Sequence, residues 1–390
     1  VRNAQAGRGA PNCAVRYVDA HDGVFAMNKH SHLAVPDCLR GVAAISVLLF
    51  HLNHWLGIPW LASNAGIAVD FFFGLSGYVL CVAYRGRFER GMSGALFARI
   101  RLIRLLPMIV IGTLLSASYL ATRSVLLHDI DIHPGWLAAA TLLGMSCIPT
   151  FGAPHTIGGP QVFPLNGPEY TLFLELVVNL FWMVTRRFDG LAFAFIVTLA
   201  GYSLTAVFGM GGDTPGTFLT GFPRVFGAYY LGVLLYYGDG KFGVLSWKIW
   251  KSLFLPASIA TLVMMAWPAQ VPFLAQWLWA AAVMPLLILG GSSITLTGPA
   301  LTVALVLGEL SYPVYALHYP TFVWLNGIYQ QSMHRKDPVL EAALFLPIIL
   351  LTSYLIMRFV DTPVRSWLVS RFGRPTVKAV LDTTAADTTV

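Results

Sequence analysis

Arg40 and His51 stand inside a segment, PDCLRGVAAISVLLFHLNHW, that is otherwise apolar or small between Leu39 and Leu52. At about 100° per residue, their spacing nearly closes three helical turns, so both side chains share one face. At ~1.5 Å per residue they lie roughly 16 Å apart along the axis, on the order of half a ~30 Å bilayer core. Charged and titratable groups at that depth are costly and face the protein interior or a wet cavity. The face therefore offers a fixed cation near one leaflet and an imidazole deeper in. An imidazole titrates near neutral pH and can take a proton from a hydroxyl or relay one. The plainer reading is a histidine hydrogen-bonded within a helix bundle. His54, one turn further on, is expected at the outer interface and is the weaker base.

Other groups could join such chemistry. Arg101 and Arg104, in RIRLIRLLP, are three apart and neighbours on one helix face just before Pro107. Two guanidiniums there could grip phosphate oxygens; otherwise they anchor a basic loop. In NGPEYTLFLELVVNLFW, Glu169 suits the start of a helix, where an acid meets the dipole. Glu175 falls well inside the apolar run and needs a partner. It could polarise a catalytic histidine, hold an acceptor hydroxyl, or pair with an arginine of another helix. VDFFFGLSGYVL places Asp70 at the outer end of the second apolar run, where it is a second candidate to orient His51. Ser76 lies in GLSGY, which lacks the spacing of a nucleophile elbow, so packing is the better reading. LGELSYPVYALHYP sets Glu309, Tyr312, Tyr315 and His318 around a helix expected to be broken by its prolines. Such breaks tend to line cavities. Tyr312 and His318 are the candidate substrate contacts there.

These groups need elements to hold them. The 390 residues are 56% hydrophobic and 11% charged, against roughly 25% charged in ordinary soluble domains. So few charges cannot clothe a soluble surface, and the expected fold is all-α: a polytopic transmembrane helix bundle. Apolar runs lie at 38–58, 66–84, 102–121, 135–149, 169–185, 190–208, 222–237, 249–267, 271–290, 301–325 and 339–357, between Gly, Pro or charged punctuation. The run at 135–149 is short and its neighbour 150–168 is rich in Gly and Pro, so 135–168 is expected to be an irregular outer segment. About ten spanning helices then remain. Small residues such as Gly41, Ala43, Ala44, Gly74 and Gly77 should let them pack closely.

Lysine and arginine set the orientation. The linker 85–104 holds Arg85, Arg87, Arg90, Arg99, Arg101 and Arg104, which makes it cytoplasmic. If 135–149 does not span, Arg186, Arg187, Lys241 and the basic tail after Arg358 share that side, and only His334, Arg335 and Lys336 break the bias. Both termini are then cytoplasmic. The expected organisation is a cytoplasmic, disordered extension over 1–36, a membrane domain over 37–370, and a disordered tail over 371–390. Residues 1–26 lack the apolar core of a signal peptide. The net charge of +7 lies between hydrophobic runs, which argues against nucleic-acid binding. Cys13, Cys38, Cys81 and Cys147 are scattered without ligand spacing, so neither a metal site nor a disulfide framework is expected.

Taken in order, LRGVAAISVLLFH, VDFFFGLSGYVL, RLIRLLP, EYTLFLELVVNLFW, LGELSYPVYALHYP and FVDTPVRSWL resemble the motifs of the integral-membrane acyltransferase-3 family, from about Asp37 to Trp367. Members O-acylate envelope polysaccharides, O-antigens, nodulation factors and some antibiotics. Tyr170 and Thr171 stand where the family's acidic motif opens with Trp-Ser. The resemblance implies that His51 is the essential histidine and Arg40 its paired arginine. It makes Arg101 and Arg104 the arginines that handle the acyl donor, and Glu175 the acidic residue of its helix. It implies no bound cofactor, acyl-CoA (acetyl-CoA first) as donor, and a carbohydrate or similar hydroxyl acceptor recognised by the membrane unit and its outer loops. The location implied is the inner membrane of a bacterium. A proton-coupled multi-pass transporter of a small solute is the rival reading, since buried His and Arg also suit a carrier; no inverted repeat is visible. A non-catalytic partner of a polysaccharide assembly complex is a third.

Overall fold

The computed structural model describes residues 33–128, 131–244, 248–333 and 336–373. The expected disorder of 1–32 and 374–390, and the exceptional His334 and Arg335, lie outside the described residues. Eleven helices are described: α1 Ala34–Leu56, α2 Ala68–Glu89, α3 Gly94–Thr122, α4 Pro134–Met145, α5 Glu169–Thr185, α6 Leu191–Phe208, α7 Gly221–Phe242 and α8 Lys248–Ala266. After them come α9 Phe273–Ser292, α10 Gly298–Met333 and α11 Pro338–Phe372.

Eight of these are long and apolar enough to cross a membrane: α1, α2, α3, α6, α8, α9, α10 and α11. The short α5 and the glycine-rich α7 lie between them in the bundle, and the number ten rests on those two. Large apolar side chains point outward along the helices, as with Phe195, Ile196 and Leu199 of α6 and Leu255, Ile259 and Leu262 of α8. Hydrocarbon, not water, suits such a surface.

Among the described residues, the expected outer segment holds no helix long enough to count as a candidate span. α4 is a 12-residue helix, and the chain after it is folded and largely buried, with Ile157, Val162 and Phe163 in the core. Thr150 N–H donates to Val162 O and Val162 N–H to Asp213 O, which ties this segment to the α6–α7 loop. The α5–α6 turn lies beside the α2–α3 turn. The Arg186 guanidinium sits 4.9 Å from the Phe88 ring centre, and Arg85 reaches Asp189 at 3.7 Å. The Arg99 guanidinium donates to Phe372 O, so α11 ends there too. One end of the bundle thus gathers the basic loops.

Close helix contact depends on the small residues. A Cβ on Gly41 would stand 2.4 Å from Leu307 O, and one on Gly77 would stand 2.0 Å from Tyr229 O. α1 therefore lies against α10, and α2 against α7. α1 and α10 run in the same direction, because Arg40 meets Ser311 while His51 meets His318. α3 runs parallel to them on the other side of α10: Tyr312 Oη donates to Leu105 O, and the Trp324 indole N–H donates to Leu115 O.

Three boundaries differ from expectation. α1 begins at Ala34, so residues 34–36 of the expected extension are helical. Pro36 falls in the first turn, where a missing N–H leaves no helix bond unmade. α11 carries the helix through Phe372, two residues past the expected domain end. α10 is not broken at Pro313 or Pro320 but runs for 36 residues. Pro320 cannot donate to Ala316 O; the Asn166 Nδ2 amide does so instead, at 3.1 Å.

Candidate functional site

The seam between α1, α2, α3, α5 and α10 holds nearly every residue singled out by sequence. Its basic end is built on Arg40. The guanidinium donates from Nε to Ser311 Oγ at 2.9 Å and from Nη2 to Gly308 O at 3.2 Å. Asp37, one turn back on α1, balances its charge at 3.2 Å. Gly308 permits this approach, since a Cβ there would stand 2.9 Å from the Asp37 Cβ.

Arg101 and Arg104 project from α3 toward the same place but have different surroundings. Arg101 is buried and donates from Nη2 to Glu175 Oε1 at 3.2 Å. Ser76 Oγ donates to that same oxygen at 2.9 Å. Arg104 has Arg101, Arg40 and Glu175 as its charged neighbours. Among the described residues no side chain or carbonyl accepts from its guanidinium, and the residue as a whole is partly exposed. Three guanidiniums converge, and Asp37 and Glu175 each engage one of the other two. Such a surplus attracts a multivalent anion.

Eleven residues along α1, the other end of the seam is a pair of imidazoles. His51 Nδ1 lies 3.1 Å from His318 Nε2 and 3.0 Å from Val47 O. His318 is fully buried, with Nδ1 facing Tyr315 O at 2.8 Å and Val314 O at 3.1 Å. Trp55, one turn beyond His51, stacks on its ring with centres 5.1 Å apart. The same indole stacks on Phe322 at 4.3 Å, which fixes it in place. Only His51 of the two histidines is partly exposed. Between the two ends lies the hydroxyl pair Thr171 and Tyr315, 2.5 Å apart. Thr171 Oγ1 donates to Pro168 O, so the Tyr315 hydroxyl is the donor to Thr171.

Several expected roles change. Neither Asp70 nor Glu175 orients His51. Asp70 accepts from Arg224 Nε and Nη2 at 2.8 and 2.7 Å, and Glu175 is held by Arg101 and Ser76. A guanidinium offers several donors to a carboxylate, whereas an imidazole offers at most two, so buried acids settle on arginines. His318 is not placed to touch substrate, because both its nitrogens are engaged inside the protein. Tyr312 is likewise committed to Leu105 O at 2.5 Å. Glu169 does open α5, but it is buried, with one carboxylate oxygen lacking a hydrogen bond. Ser76 is a structural donor, as its sequence context suggests.

Sequence reasoning overlooked Arg224, Asn166 and Trp55. Arg224 was legible by the rule that singles out Arg40, being a cation inside the apolar run 222–237. Asn166 and Trp55 carry no comparable mark. Their roles come from a carbonyl freed on α10 and a ring two helices meet.

The family model described as an acyltransferase domain matches residues 33–358. A curated relative, "Protein 2 in picA locus" of Rhizobium radiobacter, is 36% identical over 152 residues, covering 37% of this chain and 76% of that protein. No solved structure matches the chain. The matched span holds Arg40, His51, Asp70, Arg101, Arg104, Glu175, Tyr312 and His318.

Proposed function

Because the chain belongs to the acyltransferase-3 family of membrane acyltransferases, we propose that it moves an acyl group, acetyl first among candidates, from cytoplasmic acyl-CoA to a hydroxyl of a carbohydrate or similar acceptor. The observation that carries this reading is the seam itself: an arginine cluster with anion-binding capacity at one end and a partly exposed histidine at the other.

The CoA phosphates would meet Arg104 and Arg40 at the basic end, with Arg101 adding charge from its pair with Glu175. The positive-inside bias puts that end in the cytoplasm, where acyl-CoA is found. About 16 Å separates Arg40 from His51 along α1 at ~1.5 Å per residue. The donor's arm would span this distance and bring the thioester to His51. The acceptor would enter from the opposite end, between the α1–α2 turn and the folded segment after α4. His51 removes the acceptor's hydroxyl proton as the oxygen attacks the thioester carbon. The carbon–sulfur bond then breaks, and the leaving thiolate takes the proton back. The bilayer would be a bacterial inner membrane, the cell type of the curated relative, with ten crossings and both ends of the chain on the cytoplasmic side.

Membranes bearing the protein, incubated with radiolabelled acetyl-CoA and an isolated glycan, should transfer label to the glycan. His51→Ala should lower the rate about 10²–10⁴-fold, the usual worth of a general base, while the protein remains folded and inserted. Full activity of that variant rejects the assignment. Solute uptake into vesicles without acylation would favour a carrier.

A further inference from the structure

The hydrogen bonds around the two histidines determine where their protons sit. His318 Nδ1 faces two carbonyl oxygens, Tyr315 O at 2.8 Å and Val314 O at 3.1 Å. Carbonyls only accept, so a neutral His318 carries its proton on Nδ1. Its Nε2 is then a bare lone pair, 3.1 Å from His51 Nδ1. That nitrogen of His51 also faces Val47 O at 3.0 Å. With two acceptors aimed at it, His51 Nδ1 must be the protonated nitrogen. The only lone pair left on the His51 ring is on Nε2, the nitrogen without a protein partner among the described residues.

We propose, building on the acyl-transfer reading, that His318 is a positioning residue that locks His51 in its Nδ1–H form and makes Nε2 the reacting nitrogen. The acceptor's O–H proton moves to His51 Nε2 as its oxygen bonds the thioester carbon. The ring becomes an imidazolium whose Nδ1–H still points at the His318 lone pair. A hydrogen bond from a charged donor is roughly twice as strong as a neutral one. The contact therefore strengthens as the transition state forms, the condition for it to accelerate the step. When the carbon–sulfur bond breaks, the thiolate takes the Nε2 proton and both rings return to their starting forms. His318 gains and loses no proton. Trp55, stacked on His51 at 5.1 Å, keeps the ring from swinging out of line.

Two variants separate this role from packing. His318→Leu keeps apolar bulk but removes the acceptor; it should lower kcat about 10²-fold with KM for acyl-CoA and for the glycan unchanged. His318→Gln can present its Oε1 to His51 Nδ1 and should recover most of that loss. A Leu variant with wild-type kcat, or a Gln variant as slow as Leu, overturns the proposal. The second measurement does not depend on turnover. In ¹⁵N-histidine-labelled protein in detergent, the His51 resonances are those absent from His51→Ala. They should show a protonated Nδ1 and a bare Nε2 in the wild type, and a mixture of forms in His318→Leu. A wild-type His51 protonated on Nε2 overturns the proposal and leaves acyl transfer standing. Wild-type membranes that transfer no label overturn the acyl-transfer reading and leave the tautomer result intact.

Discussion

At the scale of single residues, arginines of equal charge divide by what holds them. Arg101 is buried in a pair with Glu175, and removing one member of such a pair leaves a stranded charge. Arg101→Ala should therefore cost about 3 kcal/mol of stability, seen as a lower unfolding midpoint in detergent and a reduced folded yield. Arg104 leaves nothing behind, so Arg104→Ala should unfold as the wild type does while its KM for acyl-CoA rises several-fold. Equal unfolding midpoints for the two variants would contradict the division. Both arginines were visible in RIRLIRLLP, but their difference was not, because Glu175 lies 74 residues from Arg101 in sequence. A second residue-scale case lies outside the membrane helices. Asp189, in the α5–α6 turn, accepts from the Trp182 indole N–H at 2.7 Å and from the Tyr237 hydroxyl at 2.9 Å. Burial, opposed by Trp182 and Arg85, raises its carboxyl from 3.8 to about 6. The folded state thus holds this proton more tightly than the unfolded chain. The stability cost is full above about pH 6 and is relieved as pH falls toward 3.8. Lowering pH from neutral to about 5 should raise the unfolding midpoint of the wild type relative to Asp189→Asn, which keeps an acceptor oxygen but does not titrate. A constant gap between the two proteins over that range would refute the assignment.

At the scale of elements, α10 shows how a helix can keep two prolines. Pro320 frees Ala316 O, and Asn166 satisfies it from just before α5. Asn166→Ala should cost about 1–3 kcal/mol, the price of a buried carbonyl left unpaired. In a Pro320→Ala background the restored N–H of residue 320 can serve that carbonyl within the helix, and the same Asn166→Ala change should cost much less. Additive effects in this double-mutant cycle would exclude the compensation. The prolines of LGELSYPVYALHYP did mark an unusual helix. The expected break did not follow, because the mend comes from a segment 150 residues away. The short apolar run 135–149 holds a helix of twelve residues, which reaches only about 18 Å at ~1.5 Å each, so its length agrees with the expectation that it does not cross. Its loop's burial could not be foreseen, being set by contacts with the α6–α7 loop.

At the scale of the whole molecule, Arg186 lies beside Phe88 at the end that gathers the basic loops, the arrangement expected if α4 does not span. With positive loops inside, a cysteine at Arg187 should be labelled by a membrane-impermeant thiol reagent only after the membrane is opened. Labelling of intact cells would invert the orientation. Much of this architecture was legible in the chain: long apolar runs and sparse charges leave a membrane bundle as the one way to satisfy the backbone, and a cation or imidazole within such a run must face inward. Those rules are local, so a linear string carries them. Which buried acid meets which base is a matter of distance between helices remote in sequence. Only packing could take Asp70 and Glu175 away from His51, leave Arg104 without an acceptor among the described residues, and set a second imidazole against the first.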